Sequence, residues 1–144
     1  MTFEDLNLTR PILNALEDAS YTEPTPIQAK TLPVVMSGRD VVGIAQTGTG
    51  KTIAYVLPIL RTLPYSVKLH PRVLIIVPTR ELVVQVVEDI KMLTTYMSVR
   101  IAGVYGGVNM ARHRDLVEPG QDIIVATPGR LLDLVLCGSI RLKD

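Results

Sequence analysis

The sequence has no tryptophan, a single phenylalanine (Phe3) and a single cysteine (Cys137) in 144 residues. One cysteine excludes an internal disulfide and a multi-cysteine metal site. No apolar run reaches the roughly 18 residues that a membrane span needs. The start, Met1-Thr2-Phe3-Glu4-Asp5, is acidic and lacks the basic segment of a secretory signal. An excess of charge is missing too: 15 Lys and Arg against 14 Asp and Glu leave a net charge of +1. Composition therefore carries no global sign of a nucleic-acid or membrane partner, and any contact with a polyanion has to come from local placement of charge. Repeats and low-complexity tracts are also absent. What is present is a 47 % hydrophobic content and a mean hydropathy of +0.30, which exclude disorder of the chain as a whole. The length is that of about one domain, since domains run ~100–150 residues. A soluble, reducing, cytoplasmic setting is expected, and a nuclear one is compatible.

Two kinds of segment alternate. Short β-branched runs at 40–45, 72–77, 99–104 and 122–126 predict parallel strands buried on both faces, because they do not alternate polar with apolar. Between them, Leu82, Val83, Val86, Val87, Ile90 and Leu93 share one helical face, and Leu131, Leu132, Val135 and Leu136 form another stripe that Gly138 is placed to end. Two helices precede the first run. One carries Leu8, Ile12, Leu13, Leu16 and Ala19 behind Thr9 as N-cap; the other opens at Thr25-Pro26, with Pro33 expected to kink or divide it. Strand and helix in alternation indicate an open α/β sheet.

After the first run comes Ala45-Gln46-Thr47-Gly48-Thr49-Gly50-Lys51-Thr52, followed by a helical stretch. Strand, glycine loop, Lys-Thr and helix are the context of a phosphate-binding loop. The glycines let the backbone curl so that several N–H groups converge on phosphate oxygens. Lys51 is placed to reach the β- and γ-phosphates, and Thr52 to ligate Mg²⁺ through its hydroxyl. Ala45 stands where the strict pattern begins with glycine, and the competing reading is a Gly-rich turn with a solvated lysine.

The second run leads into Pro78-Thr79-Arg80-Glu81 and the fourth into Thr127-Pro128-Gly129-Arg130. In each, Thr is a fitting N-cap and Arg falls in the first helical turn. A cation there opposes the positive end of the helix dipole, which makes sense when an anion shares the site. Helix starts after the carboxyl ends of parallel strands lie on the ligand-binding rim of an open α/β sheet. One rim with three anion-binding helix starts offers more than one nucleotide needs, so a nucleic-acid backbone is the natural second ligand. The plainer reading pairs Arg80 with Glu81 or Glu88 and Arg130 with Asp133. Gly106-Gly107 follows the third run, and either admits a ligand to the backbone or makes a plain turn.

Thr25-Pro26-Ile27-Gln28 fits a capping box, with Gln28 reaching back to the Thr25 N–H. A glutamine amide also offers the donor and acceptor that read the N6/N7 edge of adenine, and spacing does not separate the two roles. Phe3 and Tyr21 are candidates to stack on the base, with core anchoring the plainer role for Phe3.

Taken in order, Phe3, Thr25-Pro26-Ile27-Gln28, Ala45–Thr52, Pro78-Thr79-Arg80-Glu81-Leu82, Gly106-Gly107 and Thr127-Pro128-Gly129-Arg130 resemble the N-terminal part of the first RecA-like domain of DEAD-box ATP-dependent RNA helicases. The resemblance covers nearly the whole chain, and that family also begins its phosphate loop with alanine. It implies an RecA-like parallel sheet flanked by helices, with 1–38 as N-terminal helices carrying the adenine-binding motif and 39–144 as the phosphate-loop α/β core. It implies ATP and Mg²⁺ as cofactors. Tyr21 and Gln28 would serve the adenine, Thr47, Gly48, Thr49, Gly50 and Lys51 the phosphates, and Thr52 the metal, with Lys51 and Thr52 as the catalytic pair. Arg80, Gly106, Gly107, Thr127, Gly129 and Arg130 would contact single-stranded or duplex RNA through its backbone, without reading sequence. Protein cofactors are compatible with it, and membranes are not expected.

Departures are instructive. Ser20 stands where the family usually has glycine, and Val83-Val84 replaces a small and a long residue. The sequence carries no Asp-Glu-Ala-Asp segment, whose acids position Mg²⁺ and the attacking water in such enzymes. The expectation is a partial domain that ends before that strand, binds without hydrolysing, and leaves apolar strand edges open to pairing with another chain. His70 and His113 read as surface residues, and Cys137 as filler.

Overall fold

The computed structural model describes residues 1–142. The chain divides into two compact units, Met1–Pro64 with Asp89–Met97, and Tyr65–Glu88 with the chain from Ser98 onward.

The first unit is helical. A 3₁₀ turn, Phe3–Leu6, leads into α1 (Arg10–Asp18), α2 (Pro26–Met36) and α3 (Lys51–Thr62). Ile12, Leu16, Leu32 and Leu57 are at most 1 % exposed and form the heart of its core. Phe3 belongs to the same core and is buried; it is unavailable for stacking, because its ring is the anchor that holds the N-terminal turn against the helices. Ala19 is the C-cap of α1, and Ser20 takes a left-handed φ of 63°. Its N–H and that of Tyr21 close back on Glu17 O and Leu16 O. A non-glycine residue in that region costs roughly 1 kcal/mol, so a glycine there would relieve strain. α2 runs unbroken through Pro33, since a proline this near the end of a helix removes one bond while tertiary packing holds the rest.

The run 40–45 forms no strand. Val42 is 89 % and Ile44 91 % exposed. A strand exists only where a neighbour accepts its ladder bonds, and among the described residues none pairs with this segment. Hydropathy reports a wish for burial, not the presence of a partner.

The second unit holds a three-stranded parallel sheet of β1 (Val73–Ile76), β2 (Ile101–Val104) and β3 (Ile123–Ala126), in the order β1-β3-β2. Val73 and Ile101 both align with Ile123 of β3, and Ile76 and Val104 both align with Ala126. The crossovers between parallel strands carry α4 (Arg80–Leu93) and α5 (Met110–Val117), and α6 (Pro128–Leu136) follows β3. Residues 80–88 of α4 belong to this unit.

Burial on both faces holds only for the central β3; β1 leaves Ile76 55 % exposed, because β1 is an edge among the described residues. The core gathers Ala102, Val104, Ile124, Ala126, Leu131 and Leu134 with neighbours from α5 and the 140 region. The helical stripes are narrower than expected. Val83 and Val86 are buried but Leu82 is exposed, and α6 buries Leu131 and Leu134 while Leu132 and Leu136 face water. α4 comes so close to β2 that a Cβ on Gly103 would lie 2.9 Å from Val83 and 3.0 Å from Val87. Val83 is fully buried there and Val84 exposed, so of the two valines only Val83 packs against the sheet.

At the amino ends of the strands, one charged residue precedes each: Arg72, Arg100 and Asp122. Asp122 Oδ1 accepts from Arg72 Nη2 at 2.9 Å and Arg100 Nη2 at 3.0 Å, and its Oδ2 accepts from the Arg100 backbone N–H at 2.9 Å. Burial alone would push this carboxyl up. The bonds from Arg100 and Arg72 outweigh it and hold the pKa at about 2.

Candidate functional site

In the first unit the loop before α3 is shaped by Gly48 (φ 81°) and Gly50 (φ 85°), the latter as N-cap of α3. Thr49 Oγ1 donates to Gln46 O at 2.6 Å and Lys51 Nζ to Ala45 O at 2.7 Å. The lysine thus reaches across the mouth of the loop. Thr47 and Gly48 are exposed, and Thr52, at the second helical position, is half-buried. Next to it, burial pushes the Tyr55 phenol above its ordinary value against an opposing hydrogen bond to Thr52.

Gln28 is 2 % exposed and both ends of its amide are engaged. Oε1 accepts the Thr25 N–H at 3.0 Å, and Nε2 donates to Gly50 O at 3.2 Å. It therefore caps α2 and supports the loop 45–50 from beneath. Among the described residues, Thr25 Oγ1 lies buried beside it without a hydrogen-bond partner. Tyr21 is 41 % exposed in a shallow groove with Thr2, Arg10, Leu13 and Glu17.

In the second unit, three of the singled-out motifs leave the same edge of the sheet. Ile76, Ala126 and Val104 are in register, so Pro78–Leu82, Thr127–Arg130 and Gly106-Gly107 emerge from strands roughly 4.8 Å apart. Thr79 Oγ1 accepts the Leu82 N–H at 3.2 Å, capping α4, and Thr127 is the N-cap of α6. The first N–H groups of a helix have no partner within it, so both helix starts offer donors at this edge. Gly106 and Gly129 have open space where a Cβ would stand. Packing within the chain thus asks for glycine at neither, while a close-approaching ligand would.

The two arginines differ. Arg80 is exposed, its guanidinium 4.9 Å from the centroid of the Tyr105 ring. Arg130 turns inward, and its side chain is 11 % exposed. Nη1 meets His113 Nδ1 at 2.7 Å, Nη2 donates to Val108 O at 2.8 Å, and Nε lies 3.8 Å from Asp133. The partner expected of Arg130 from its helix, Asp133, is thus the looser one. His113, expected at the surface, is 4 % exposed, packed edge-on against Tyr105, and His70 is half-buried. Neither position betrays burial in the sequence, since the polar neighbours of His113 on α5 face water and only tertiary contacts cover its ring. Cys137 is exposed. No described helix is long and apolar enough to cross a membrane.

This arrangement can be set beside known proteins. The chain is 45 % identical over 143 residues to ATP-dependent RNA helicase DeaD of Escherichia coli, covering 99 % of this chain and 23 % of that protein. It is 44 % identical over 134 residues to ATP-dependent RNA helicase drs1 of Aspergillus clavatus, covering 92 % and 16 %. It thus spans less than a quarter of these relatives. Among solved structures, a DEAD box protein from the hyperthermophile Methanococcus jannaschii matches with a TM-score of 0.92 and 34 % identity over 99 % of this chain and 39 % of that one. A hypothetical ATP-dependent RNA helicase from Sulfolobus tokodaii matches with a TM-score of 0.84 and 39 % identity over 92 % and 38 %. The open parallel sheet is accordingly RecA-like. A profile of the DEAD/DEAH box helicases covers residues 25–143, which takes in the loop 45–50 and all three motifs at the sheet edge, and the chain belongs to that family.

Proposed function

We propose that this chain is the gripping part of an ATP-dependent RNA helicase, holding adenine nucleotide at the loop of its first unit and RNA backbone at the sheet edge of its second. The observation that carries this reading is the loop 45–50 itself, curled by two left-handed glycines, closed by Lys51 and propped on Gln28.

Its residues fit a nucleotide. Lys51 Nζ, now on the Ala45 carbonyl, has the reach to exchange that oxygen for those of β- and γ-phosphate, and the backbone N–H groups of 47–52 supply further donors. Thr52 offers a hydroxyl oxygen of the kind a hard divalent cation takes. Mg²⁺, when bound, would neutralise charge on the β- and γ-phosphates. Gln28 keeps one Nε2 hydrogen beyond its bond to Gly50, and that donor would meet adenine, with Tyr21 alongside.

At the sheet edge, Arg80 supplies an exposed cation, and the N–H groups of the two helix starts supply directed donors. Gly106, Gly107 and Gly129 admit the backbone of a strand close to the chain, with Thr127 between them. Arg130 contributes through its N–H, its guanidinium being spent on the fold. Such contacts touch phosphate and sugar, so binding is independent of sequence and open to single-stranded or duplex RNA. The 144 residues hold no Asp-Glu-Ala-Asp segment, so the alternative for this stretch alone is binding without hydrolysis. Unwinding or remodelling, with any protein cofactors, belongs to the longer protein. The outer edge of β1 and the run 40–45, both without ladder partners among the described residues, invite pairing with a further strand.

Two titrations test the reading. Fluorescent ADP should bind the Lys51→Ala chain about tenfold more weakly than wild type, since charged hydrogen bonds contribute ~1.5–3 kcal/mol; equal affinities would remove the phosphate-loop assignment. Arg80→Ala should weaken binding to oligo(U) and oligo(A) alike and lower the salt slope by about one. A loss confined to one of the two RNAs would speak against backbone contact.

A further inference from the structure

His113 takes no part in the nucleotide and RNA contacts proposed above, yet its surroundings are specific. It is 4 % exposed on α5. Arg130 of α6 faces its Nδ1 at 2.7 Å and Arg112 stands near it on its own helix. The Tyr105 ring packs edge-on at 5.3 Å, itself under Arg80 of α4. Asp133 of α6 is 59 % exposed and lies 3.8 Å from Arg130 Nε. A guanidinium only donates hydrogen bonds. His113 Nδ1 must therefore present its lone pair, which puts the ring proton on Nε2. Through the other arm of Arg130, on Val108 O at 2.8 Å, the imidazole is tied to the segment that follows Gly106-Gly107. Three elements of the sheet edge, α5, the start of α6 and the loop 106–109, are stapled by one neutral histidine.

We propose that neutral His113 is the positioning residue that fixes Arg130 and the loop 106–109 for phosphate binding, and that a proton on Nδ1 undoes the staple. The proposal rests on the RNA-backbone reading above and deepens it. Protonation takes the only acceptor lone pair of the ring, so an imidazolium N–H then faces a guanidinium N–H and like charges meet in a buried place. Burial, Arg130 and Arg112 all hold the His113 pKa below the ordinary histidine value. The staple is therefore fully formed above that ordinary value and is lost as pH falls through the lowered one. Tyr105 carries the same geometry toward Arg80, so the one histidine stands behind both arginines of the edge.

The test uses the whole 144-residue chain, wild type and His113→Gln, titrated with fluorescein-labelled oligo(U) from pH 8 to pH 5.5 at fixed ionic strength. A glutamine carbonyl keeps a neutral acceptor for Arg130 and has no proton to gain. Expected are matching affinities at pH 8 and a wild-type affinity about fivefold below that of His113→Gln at pH 5.5, the lower end of ordinary coupling energies. A ratio that stays constant with pH, in proteins that bind, overturns the proposal and leaves the RNA reading standing. Failure of both proteins to bind at every pH overturns the RNA reading and the positioning role with it. A second measurement needs no variant: long-range ¹H–¹⁵N NMR of the two histidines at pH 7.5 should show His113 with Nδ1 bare and Nε2 protonated. A proton on Nδ1 overturns the proposal whatever the RNA does.

Discussion

Replacing Asp122 by alanine is expected to remove about 3 kcal/mol of folding stability, a large share of the ~5–15 kcal/mol typical of a domain. The carboxylate is 3 % exposed and joins Arg72 and Arg100, which are 19 % and 34 % exposed. Taking one partner from a buried pair costs ~3–5 kcal/mol, and the partly wet arginines place this case at the low end. Asp122 also accepts the Arg100 N–H, so its loss loosens both ladders of the sheet where they begin. Urea unfolding followed by circular dichroism at pH 7 measures the effect. A change under about 0.5 kcal/mol would mean that the strand ladders alone hold that end. The pH dependence has a definite sign. The folded pKa, about 2, lies below the ordinary 3.8, so the contribution is complete above pH 3.8 and fades as pH falls toward 2. The wild type should lose stability across that window more steeply than Asp122→Asn, which has no proton to take up there.

Gly50→Ala should be nearly as costly, and in a different unit. Its φ of 85° is left-handed, which costs an alanine roughly 1 kcal/mol. Its Cβ would lie 2.3 Å from Gln28 Nε2 and 3.2 Å from Thr25 Oγ1. Gln28 has no room to yield, because its other end is bonded to Thr25 N. Pushed off Gly50 O, a buried amide loses a partner at roughly 1–3 kcal/mol. We expect ~2–3 kcal/mol of destabilisation and an ADP affinity at least tenfold weaker, because the alanine deforms the loop from within. Adding Gln28→Ala should recover part of the stability by clearing the clash. The nucleotide affinity should stay low in that double variant, since the strained φ remains and the prop under the loop is gone. Additive stability losses in the Gly50→Ala, Gln28→Ala cycle would show that the two residues do not act on one another.

Local chemistry was readable directly. Thr25, Thr79 and Thr127 each begin a helix. The glycine loop opens α3, and three of the four apolar runs are strands. These depend on neighbours a few residues away, which the sequence contains. The run 40–45 did not follow, for its hydropathy matches that of the others and only a partner strand distinguishes them. Arg80 and Arg130 look alike as Thr-capped first-turn cations, yet one is exposed and the other is held by His113 and Val108. Arg80 is the first residue of its helix and Arg130 the third, a difference of half a turn that only the packing around α5 turns into outward and inward.

The charged residues before the strands mark the division most clearly. The sequence by itself determined that Arg72 and Asp122 open their apolar runs and that Arg100 is the second residue of its own, read along the chain as plus, plus, minus. It also determined the motif order that carries the family. The tertiary structure alone decided the strand order β1-β3-β2, which places the aspartate between the arginines and makes a buried clamp from charges that are 22 and 50 residues away in the chain. The physical reason is that capping, turns and hydropathy are short-range properties of the chain. Which strand lies beside which is settled by the joint packing of all the apolar faces, and a charge acquires its partner only after that choice.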